Sequence, residues 1–481
     1  MKKDNPPHSS ARRRFLRQSA AAAAGFSALP LSWQAIAKSI SSGRIPQQQP
    51  GYGELFPVAD QATGLELLRL PKGFSYTSFS WAGDTMDDGN SVPGAADGMG
   101  VVKEEGDLLT LIRNHELTGR TPLAGNPDQA YDIFGGGTST MVFNQASRKL
   151  EKSWLSLSGT IRNCAGGVTP WGTWLSCEES CYDPELAIST NWLRRLYWKS
   201  EGAKKTHGWV FEIPAEGVAK PEPLYDMGQF DHEACAVDPR DGSIYQTEDM
   251  KPNAGFYRFI PRQKEQLQAG GKLQMMRIPE QMDMRHSFAI GTEFSVEWVD
   301  IKDPRQGNTP GTHDTSGVVN QGLAAGGSAF MALEGCFYYQ GQVFFTSKLG
   351  GAVHAGQVFA YDPGSEKLTL IFESPSHRVI SGPDNIAISP RGNMVICEDH
   401  VTTVDKAQHL LALLDGGDYF YFCQINPDIR GEHNGHDLAE TLPGSEWAGI
   451  TFSADGHWMF ANIYNPGITV AITGPWQDDL A

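Results

Sequence analysis

The chain has no excess of basic residues. Its 481 residues include 39 Lys and Arg against 56 Asp and Glu, a formal net charge of −17. Nucleic-acid surfaces need clustered Lys and Arg against the phosphates, so this balance argues against a nucleic-acid-binding protein. Cysteine is also scarce. The 7 cysteines are odd in number and follow no even spacing, which does not favour a disulfide scaffold.

Long helical runs are scarce as well. The chain has instead 53 glycines, 29 prolines and 40% hydrophobic residues, a composition typical of many short strands joined by turns. It predicts a globular all-β protein, neither disordered nor built from several membrane spans. Length alone allows two or three domains, but a single β domain built from repeats can also take up on the order of 400 residues.

The N-terminus has the three parts of a twin-arginine export signal. A basic stretch, RRRFLR, occupies residues 12–17, an apolar stretch follows at 20–31, and AIA at 35–37 supplies a cleavage site. The apolar stretch is shorter than a membrane-spanning helix of about 20 residues; an Ala-rich surface helix is the alternative. We expect a signal peptide at 1–37, export by the twin-arginine machinery, no stable membrane span, and a periplasmic or secreted protein.

From about residue 97 onward, one hairpin pattern recurs six times. Each copy starts with an acidic residue or Asn, continues through two short apolar strands joined by a turn, and ends in a polar or acidic residue. The starts are Asp97, Asn163, Glu233, Glu334, Asp384 and Glu446, and the ends are Glu116, Glu179, Asp249, Lys348, Asp399 and Asn462. Most turns carry a Gly, as at residues 389–392, which suits antiparallel strands.

The hairpin ends lie 51 to 99 residues apart, so the spacing varies while the hairpin stays constant. Further strand-like segments lie between the hairpins. Two pairs of strands make a four-stranded blade, and six blades make a β-propeller. We therefore predict an all-β chain with a single six-bladed β-propeller at 61–481, with long inter-strand loops, preceded by the signal peptide and a linker at 38–60.

The hairpin ends should meet at one place. The first and last residues of an antiparallel hairpin lie at the same end, and in a propeller these ends open onto the mouth of the central channel. Roughly ten carboxylates converging there would raise each other's pKa, a costly arrangement unless cations fill it. Calcium takes six to eight oxygen ligands, so the pattern predicts a metal site; solvent-facing acids that cap turns are the alternative.

Cys177 lies directly before two of these acids, in the run Ser176-Cys177-Glu178-Glu179. A thiolate selects a transition metal over calcium, which makes Cys177 a candidate metal ligand. A buried apolar cysteine, or a disulfide to Cys181 or Cys164, is the alternative. Four other cysteines lie at strand positions and are interpreted as core residues: Cys164, Cys235, Cys336 and Cys397.

Residues 162–179, RNCAGGVTPWGTWLSCEE, closely resemble the signature of the PhoX-type alkaline phosphatase family. Shorter matches are residues 114–116, 231–233, 248–249, 333–335 and 382–385, so the resemblance covers nearly all of the chain beyond the signal. Twin-arginine export is typical of that family. The resemblance implies a six-bladed propeller whose channel mouth holds ferric ions (Fe3+) and calcium ions (Ca2+), with phosphate bound across them.

The resemblance also implies the reaction and the residues that serve it. The reaction is hydrolysis of a small phosphomonoester, in which the metals polarise the phosphoryl group. Cys177 is implied as an iron ligand. We expect Cys177 and Glu334 to belong to the catalytic centre, together with Lys348, which is suggested by its position at the end of the hairpin that Glu334 starts. The other implied metal ligands are Glu116, Glu178, Glu179, Glu233, Asp249, Glu334, Asp384 and Glu398.

One position departs from the family pattern. Better-characterised members carry an Arg two residues before the equivalent of Glu334, where it helps to hold the phosphate, and this chain has Ala332. A guanidinium matches a phosphate in a way that Ala cannot, and Lys348 is the candidate for the missing charge. Two other interpretations stay open: a calcium-dependent propeller hydrolase of another class, such as a lactonase, and a non-catalytic binding propeller whose metals only staple the blades.

Overall fold

The computed structural model describes residues 47–119, 121–185, 202–399, 408–414 and 417–477. The signal predicted at 1–37 lies outside these residues. Six antiparallel sheets form six blades around a central channel, which confirms the prediction of an all-β, six-bladed propeller. None of the helices in the described part of the chain is both long and apolar enough to cross a membrane.

The elements of the first half, in chain order, are β1 (Leu55–Val58), β2 (Leu68–Pro71), β3 (Ser75–Phe79), β4 (Ala96–Glu105), β5 (Leu108–His115), β6 (Phe134–Asn144), β7 (Lys149–Gly159), β8 (Asn163–Val168), β9 (Thr173–Glu178), β10 (Val210–Pro214), β11 (His232–Val237), β12 (Ile244–Glu248), β13 (Phe256–Pro261), β14 (Gly271–Arg277), β15 (Glu293–Ser295) and β16 (Glu297–Asp300).

The second half contains α1 (Gly317–Ala324), β17 (Leu333–Tyr339), β18 (Gln342–Ser347), β19 (Gln357–Asp362), β20 (Lys367–Glu373), β21 (Pro383–Ile388), β22 (Met394–Glu398), β23 (His409–Leu413), β24 (Tyr419–Ile425), β25 (Glu432–His433), β26 (His436–Asp437), α2 (Leu438–Thr441), β27 (Trp447–Phe452), β28 (Met459–Ile463) and β29 (Ile468–Thr473).

Each blade starts with one of the predicted hairpins, which supplies its two inner strands. We number the blades in that order: blade 1 is β4-β5-β6-β7, blade 2 is β8-β9-β10, and blade 3 is β11-β12-β13-β14-β16. Blade 4 is β17-β18-β19-β20-β15, blade 5 is β21-β22-β23-β24-β2-β1, and blade 6 is β27-β28-β29-β3. The six innermost strands contact one another in a closed ring around the channel.

The N-terminal strands close the propeller by joining blades that come last in the chain. β3 pairs with β29, with Ser78 opposite Val470, and thereby completes blade 6. β2 pairs with β24, and β1 extends the same sheet as its edge strand. Residues 55–58 of the segment assigned to a linker thus form β1 of blade 5.

Apolar side chains fill the space between neighbouring blades. Phe460 of blade 6 packs against Phe143 of blade 1 with ring centroids 5.3 Å apart, and Phe256 of blade 3 stacks on Phe345 of blade 4 at 4.2 Å. Because blades pack on both faces, strands such as β22 and β28 are buried at every position. This packing fixes the orientation of each blade and hence of the strand ends at the channel mouth.

Phe460→Ala should destabilise the protein by about 3 to 5 kcal/mol, since it empties a site where a fully buried ring seals two blades. Thermal or denaturant unfolding measures the loss. Phe56→Ala is the matched control, because Phe56 is 49% exposed on β1 and its removal should change stability little. Equal losses in the two variants would contradict the assigned packing.

Candidate metal centre

Every innermost strand has the same β-bulge close to its start. In blade 2, Asn163 pairs with Glu178 and Gly166 pairs with Ser176, so that Cys164 and Ala165 together face Cys177. The register shifts in the same way in the other five blades. A bulge of two residues against one re-aims a side chain at the end of a strand.

The first residue of each bulge follows the last residue that is paired before the register shift; this is the first paired residue in blades 1 to 5 and the second, Ala448, in blade 6. These residues are Asp97, Cys164, Glu233, Glu334, Asp384 and Gly449 in blades 1 to 6. The Sγ of Cys164 lies 3.4 Å from Oδ2 of Asp97 and 3.2 Å from Oε1 of Glu233. Side chains from three consecutive blades therefore meet at the channel mouth.

A second group of acids lies at the end of the second strand of the blades, at the residue directly after the last paired residue. Glu116, Glu179, Asp249 and Asp399 occupy this position in blades 1, 2, 3 and 5. Glu446, which precedes β27, joins Asp399 and Asp384. We call these side chains together the mouth cluster: Asp97, Glu116, Cys164, Glu179, Glu233, Asp249, Glu334, Asp384, Asp399 and Glu446.

Ligand atoms within the mouth cluster are close enough to hold metal ions. In the described residues, four sets have all their ligand atoms within 4.8 Å of one another. The sets are Asp97, Glu116 and Cys164; Cys164, Glu179 and Glu233; Glu233, Glu334 and Asp384; and Asp384, Asp399 and Glu446. Of the predicted metal ligands, the structure thus brings together Glu116, Glu179, Glu233, Glu334 and Asp384.

The thiol in these sets belongs to Cys164, which the sequence interpretation had placed in the core. Cys177 lies one strand away and faces the next blade, with its Sγ 3.4 Å from that of Cys235. Cys177 is fully buried among apolar side chains of blades 2 and 3. Glu178, its neighbour on β9, points to the opposite side of the strand, and Glu179 lies beyond the end of β9, where its carboxylate pairs with Arg162. Closeness in sequence therefore does not bring this thiol to the mouth cluster.

Glu178 and Glu398 were also predicted as ligands, but both accept hydrogen bonds inside their own blades. The carboxylate of Glu178 accepts hydrogen bonds from the backbone N–H groups of Ile161, Gly208 and Trp209 and from Nδ1 of His207, at 2.6–3.1 Å. Both of its oxygens are therefore engaged away from the mouth. Glu398 likewise accepts from the N–H of Ser381 and from the N–H and Nδ1 of His409.

His207 and Glu178 form a buried ion pair. Burial by itself lowers the pKa of His207, but Glu178 and Asp132 together raise it above its ordinary value. The imidazole, fully buried, therefore donates from Nδ1 to Glu178, and its Nε2 lies 3.5 Å from Asp132. Glu178, at the paired end of its strand, thus holds neighbouring loops by hydrogen bonds, whereas Glu179, the next residue, faces the mouth.

Three side-chain cations of the described residues contact the mouth cluster, and the most distant is Lys251, whose Nζ lies 3.8 Å from Oδ2 of Asp249. Arg162 donates from Nε to Glu116 at 2.6 Å, and its Nη2 lies 2.5 Å from Glu179. Lys348 places its Nζ 3.3 Å from Glu334 and 3.4 Å from Asp384, and it also pairs with Asp399. The contacts of Lys348 are thus with acids of the cluster.

Ala332 is fully buried just before β17, with a positive φ of 48°. The equivalent residue of blade 2, directly before the first paired residue, is Arg162, which has a φ of 46°. Blade 2 therefore supplies a guanidinium to the mouth from the backbone position that Ala332 occupies in blade 4.

Burial makes the mouth cluster electrostatically costly without bound cations. Burial raises the pKa of Glu233 well above its ordinary value, and Glu334 and Asp384 raise it further. Burial, followed by Asp97 and Glu233, likewise raises the pKa of the Cys164 thiol. In the absence of other cations, these groups are driven toward their protonated forms.

The ligand atoms of the mouth cluster suit a mixed set of metal ions. Oε2 of Glu233 is fully buried and has no hydrogen-bond partner, a costly state for a carboxylate oxygen unless a cation meets it. Carboxylates suit hard cations such as calcium, and the Cys164 thiolate suits a transition metal. A bound ion would reverse the pKa pattern by stabilising the deprotonated forms.

Behind the mouth cluster, the central channel contains a cavity of about 370 Å³. Its walls continue from the bulges and include Gly98, Gly166, Ala234, Gly335 and Ile450. Glycines and apolar side chains dominate the lining, to which none of the carboxylates in the described residues belongs. The candidate chemistry thus lies at the mouth of the channel and not within this cavity.

A family model described as alkaline phosphatase PhoX matches residues 51–133 and 132–467. No curated protein matches the chain. Among solved structures, a gluconolactonase from Xanthomonas campestris is similar at 10% identity and a TM-score of 0.39, covering 90% of this chain and 99% of that one. A structure described as a candidate gluconolactonase is similar at 10% identity and a TM-score of 0.37, covering 88% and 98%.

Chelated, metal-free protein should lose stability as the pH rises from about 4 to about 8. Burial, then Asp399, raises the pKa of Asp384 from 3.8 to about 6 even though Lys348 lowers it, and burial raises that of Glu248 from 4.5 to about 8. Both carboxyls bind protons more tightly when folded, so their stabilisation is present below the unfolded pKa and disappears as the pH passes the folded pKa.

Melting temperatures of the chelated protein across this range measure the effect, and the higher value is expected at the acidic end. Added calcium should flatten the profile, because a bound cation replaces the protons in offsetting the buried charge. A melting temperature that climbs steadily with pH in the chelated protein would contradict the assigned burial of these acids.

Glu178→Gln and Glu179→Gln should have different effects although the residues are adjacent. Glu178→Gln leaves buried N–H donors poorly matched and should cost about 2 to 3 kcal/mol of stability with no change in bound metal. Glu179→Gln should lower the bound metal, because its side chain belongs to a set of converging ligand atoms. Thermal melting and elemental analysis separate the two roles, and a loss of metal in both variants would argue against them.

Proposed function

The chain belongs to the alkaline phosphatase PhoX family, and from this premise we propose that it is an exported, metal-dependent phosphomonoesterase. Its substrate is a small phosphorylated molecule, and its active centre is the mouth cluster. Export through the twin-arginine machinery to the periplasm or beyond is part of the proposal and rests on the signal at residues 1–37.

One observation carries the proposal: a buried thiol lies between carboxylates of three blades at the mouth of the channel. Cys164 is within 3.4 Å of both Asp97 and Glu233, and each of these side chains is at most 7% exposed. Such a set is unfavourable as a purely structural feature, because it combines desolvated acids with few donors. It is favourable as a cradle for multivalent cations.

We assign calcium and iron as the metals of this centre. Carboxylate oxygens of Asp97, Glu116, Glu179 and Glu233 would hold them together with the Cys164 thiolate. When bound, such ions polarise a phosphoryl group and lower the pKa of water, which is the chemistry that hydrolysis of a phosphomonoester requires. This assignment moves the role first given to Cys177 to Cys164.

The chain's own residues position and shield this centre. Arg162 bridges Glu116 and Glu179 across blades 1 and 2 and so holds both carboxylates in place. Asn385 donates from Nδ2 to Asp384 at 2.7 Å and orients that side chain. The bulges fix Asp97 and Glu233 on either side of Cys164, and burial excludes water from the backs of these side chains.

Arg162 also lies at the solvent edge of the mouth. Its side chain is 28% exposed, against 14% for Lys348. An approaching phosphate dianion would meet this guanidinium before it meets Lys348. The guanidinium would partly offset repulsion from a chain whose charge becomes −22 once residues 1–37, with six basic and one acidic residue, are removed.

Cys164→Ser should lower hydrolysis of p-nitrophenyl phosphate at alkaline pH by at least about 100-fold, since loss of a group that only orients a ligand already costs 10–100-fold. Bound transition metal should fall in parallel. Cys177→Ala is the matched control, because that thiol packs between blades; it should lower the melting temperature slightly and leave activity and metal content close to those of the wild type.

Elemental analysis of the exported protein and a p-nitrophenyl phosphate assay before and after chelation complete the test. Calcium and iron together, with activity that chelation removes, support the proposal. Full activity in Cys164→Ser, or a metal-bearing protein that hydrolyses no phosphomonoester, would rule it out.

A further inference from the structure

Lys348 breaks the pattern of acids at the channel mouth. The residue after the paired end of the second strand is Glu116, Glu179, Asp249 and Asp399 in blades 1, 2, 3 and 5, whereas blade 4 has Lys348. In the described residues, one blade therefore places a fixed positive charge where four blades place a carboxylate.

The ammonium of Lys348 is surrounded by oxygens. Its Nζ lies 3.3 Å from Glu334 and 3.4 Å from Asp384, and it forms an ion pair with Asp399. The side chain is only 14% exposed, and the backbone N–H donates to the carbonyl of Ala332 at 2.8 Å. Three carboxylates from two blades thus enclose one compact cation, and carboxylate oxygens are also the ligands that calcium takes.

Among the described residues, no side-chain cation occupies the centre of the opposite side of the mouth. Cys164 and Glu233 contact each other, and Oε2 of Glu233 is buried without a hydrogen-bond partner. Arg162 reaches that side only from the rim, through Glu116 and Glu179. Oε1 of Glu334 is also buried without a hydrogen-bond partner, but it lies 3.3 Å from the Nζ of Lys348. No ion pair of the described residues involves Glu233, so the buried oxygen that lacks a cation lies on the side of blades 1 to 3.

We propose that Lys348 is a resident cation that takes the place of a metal ion between blades 4 and 5, so that bound metals are confined to the side of blades 1 to 3. The inference rests on the proposed metal centre and adds where in the channel mouth its metal ions bind. Glu334 and Asp384 then serve mainly as counter-ions of Lys348. Asp97, Glu116, Cys164, Glu179 and Glu233 hold the metals.

Removing the ammonium should create a metal site. The full-length Lys348→Gln variant, stripped with a chelator and then equilibrated with calcium chloride, should hold one more calcium ion per chain than the wild type. Its melting temperature should also rise more than that of the wild type on adding calcium. Elemental analysis and calcium titration by calorimetry measure the gain independently of any enzymatic activity.

Two control variants test whether the gain in calcium comes from removing the cation between blades 4 and 5 or from removing any lysine. Lys348→Arg keeps the positive charge and should bind no additional calcium. Lys103→Gln removes a lysine that also contacts two carboxylates, Glu105 and Glu216, but on the outside of the propeller. It should likewise gain none, since those acids are largely exposed.

An equal calcium content in wild type and Lys348→Gln would overturn the inference. A Lys348→Gln variant that folds only when calcium is present would support it, because the ion then replaces the ammonium. A variant that stays unfolded at every calcium concentration would contradict it. Failure of the proposed function is a different outcome: the wild type would then bind neither calcium nor iron, whatever Lys348→Gln does.

Discussion

The bulge at the start of each innermost strand is the constraint on which the metal centre depends. An unbroken strand would send alternate side chains to opposite faces, and the acids at the hairpin starts would not converge. The bulge is held in place from the preceding blade. Thr247 donates to the carbonyl of Glu334 at 2.5 Å, and Thr346 donates to that of Asp384 at 2.9 Å. Backbone contacts between blades therefore position the side chains that face the channel mouth.

Small residues make this close approach of the strands possible. A Cβ on Gly335, the second bulge residue of blade 4, would lie 2.6 Å from the carbonyl oxygen of Asp384. The residue opposite the bulge in blade 2 is Cys177, whose Sγ contacts Cys235 of the next blade. In blades 3 and 4 a threonine occupies that position. Cys177 therefore belongs to the set of side chains that space the blades, which explains why it lies so near the centre without entering it.

The sequence predicted the fold well because turns and apolar strands recur visibly, and the six hairpins lie where the pattern placed them. It also located the channel mouth, since hairpin ends must share one end of a propeller. The bulges carry no comparable signature, and without them Cys164 could not be distinguished from a core residue. One signal was present: aligning the hairpins on their first paired residue puts Cys164 in the same column as Asp97, Glu233, Glu334 and Asp384.

Acids that are adjacent in the sequence have different roles, and the number of carboxylates in a segment does not predict which role each one has. Glu178 and Glu398 end their strands and accept backbone N–H groups, whereas Glu179 and Asp399 follow them and face the mouth. A carboxylate with several N–H donors is already satisfied, while one among other acids needs a cation. The described part of the chain supplies such cations itself, as Arg162, Lys348 and, at 3.8 Å from Asp249, Lys251. The charge that remains is concentrated around Cys164, where a multivalent ion gains most from binding.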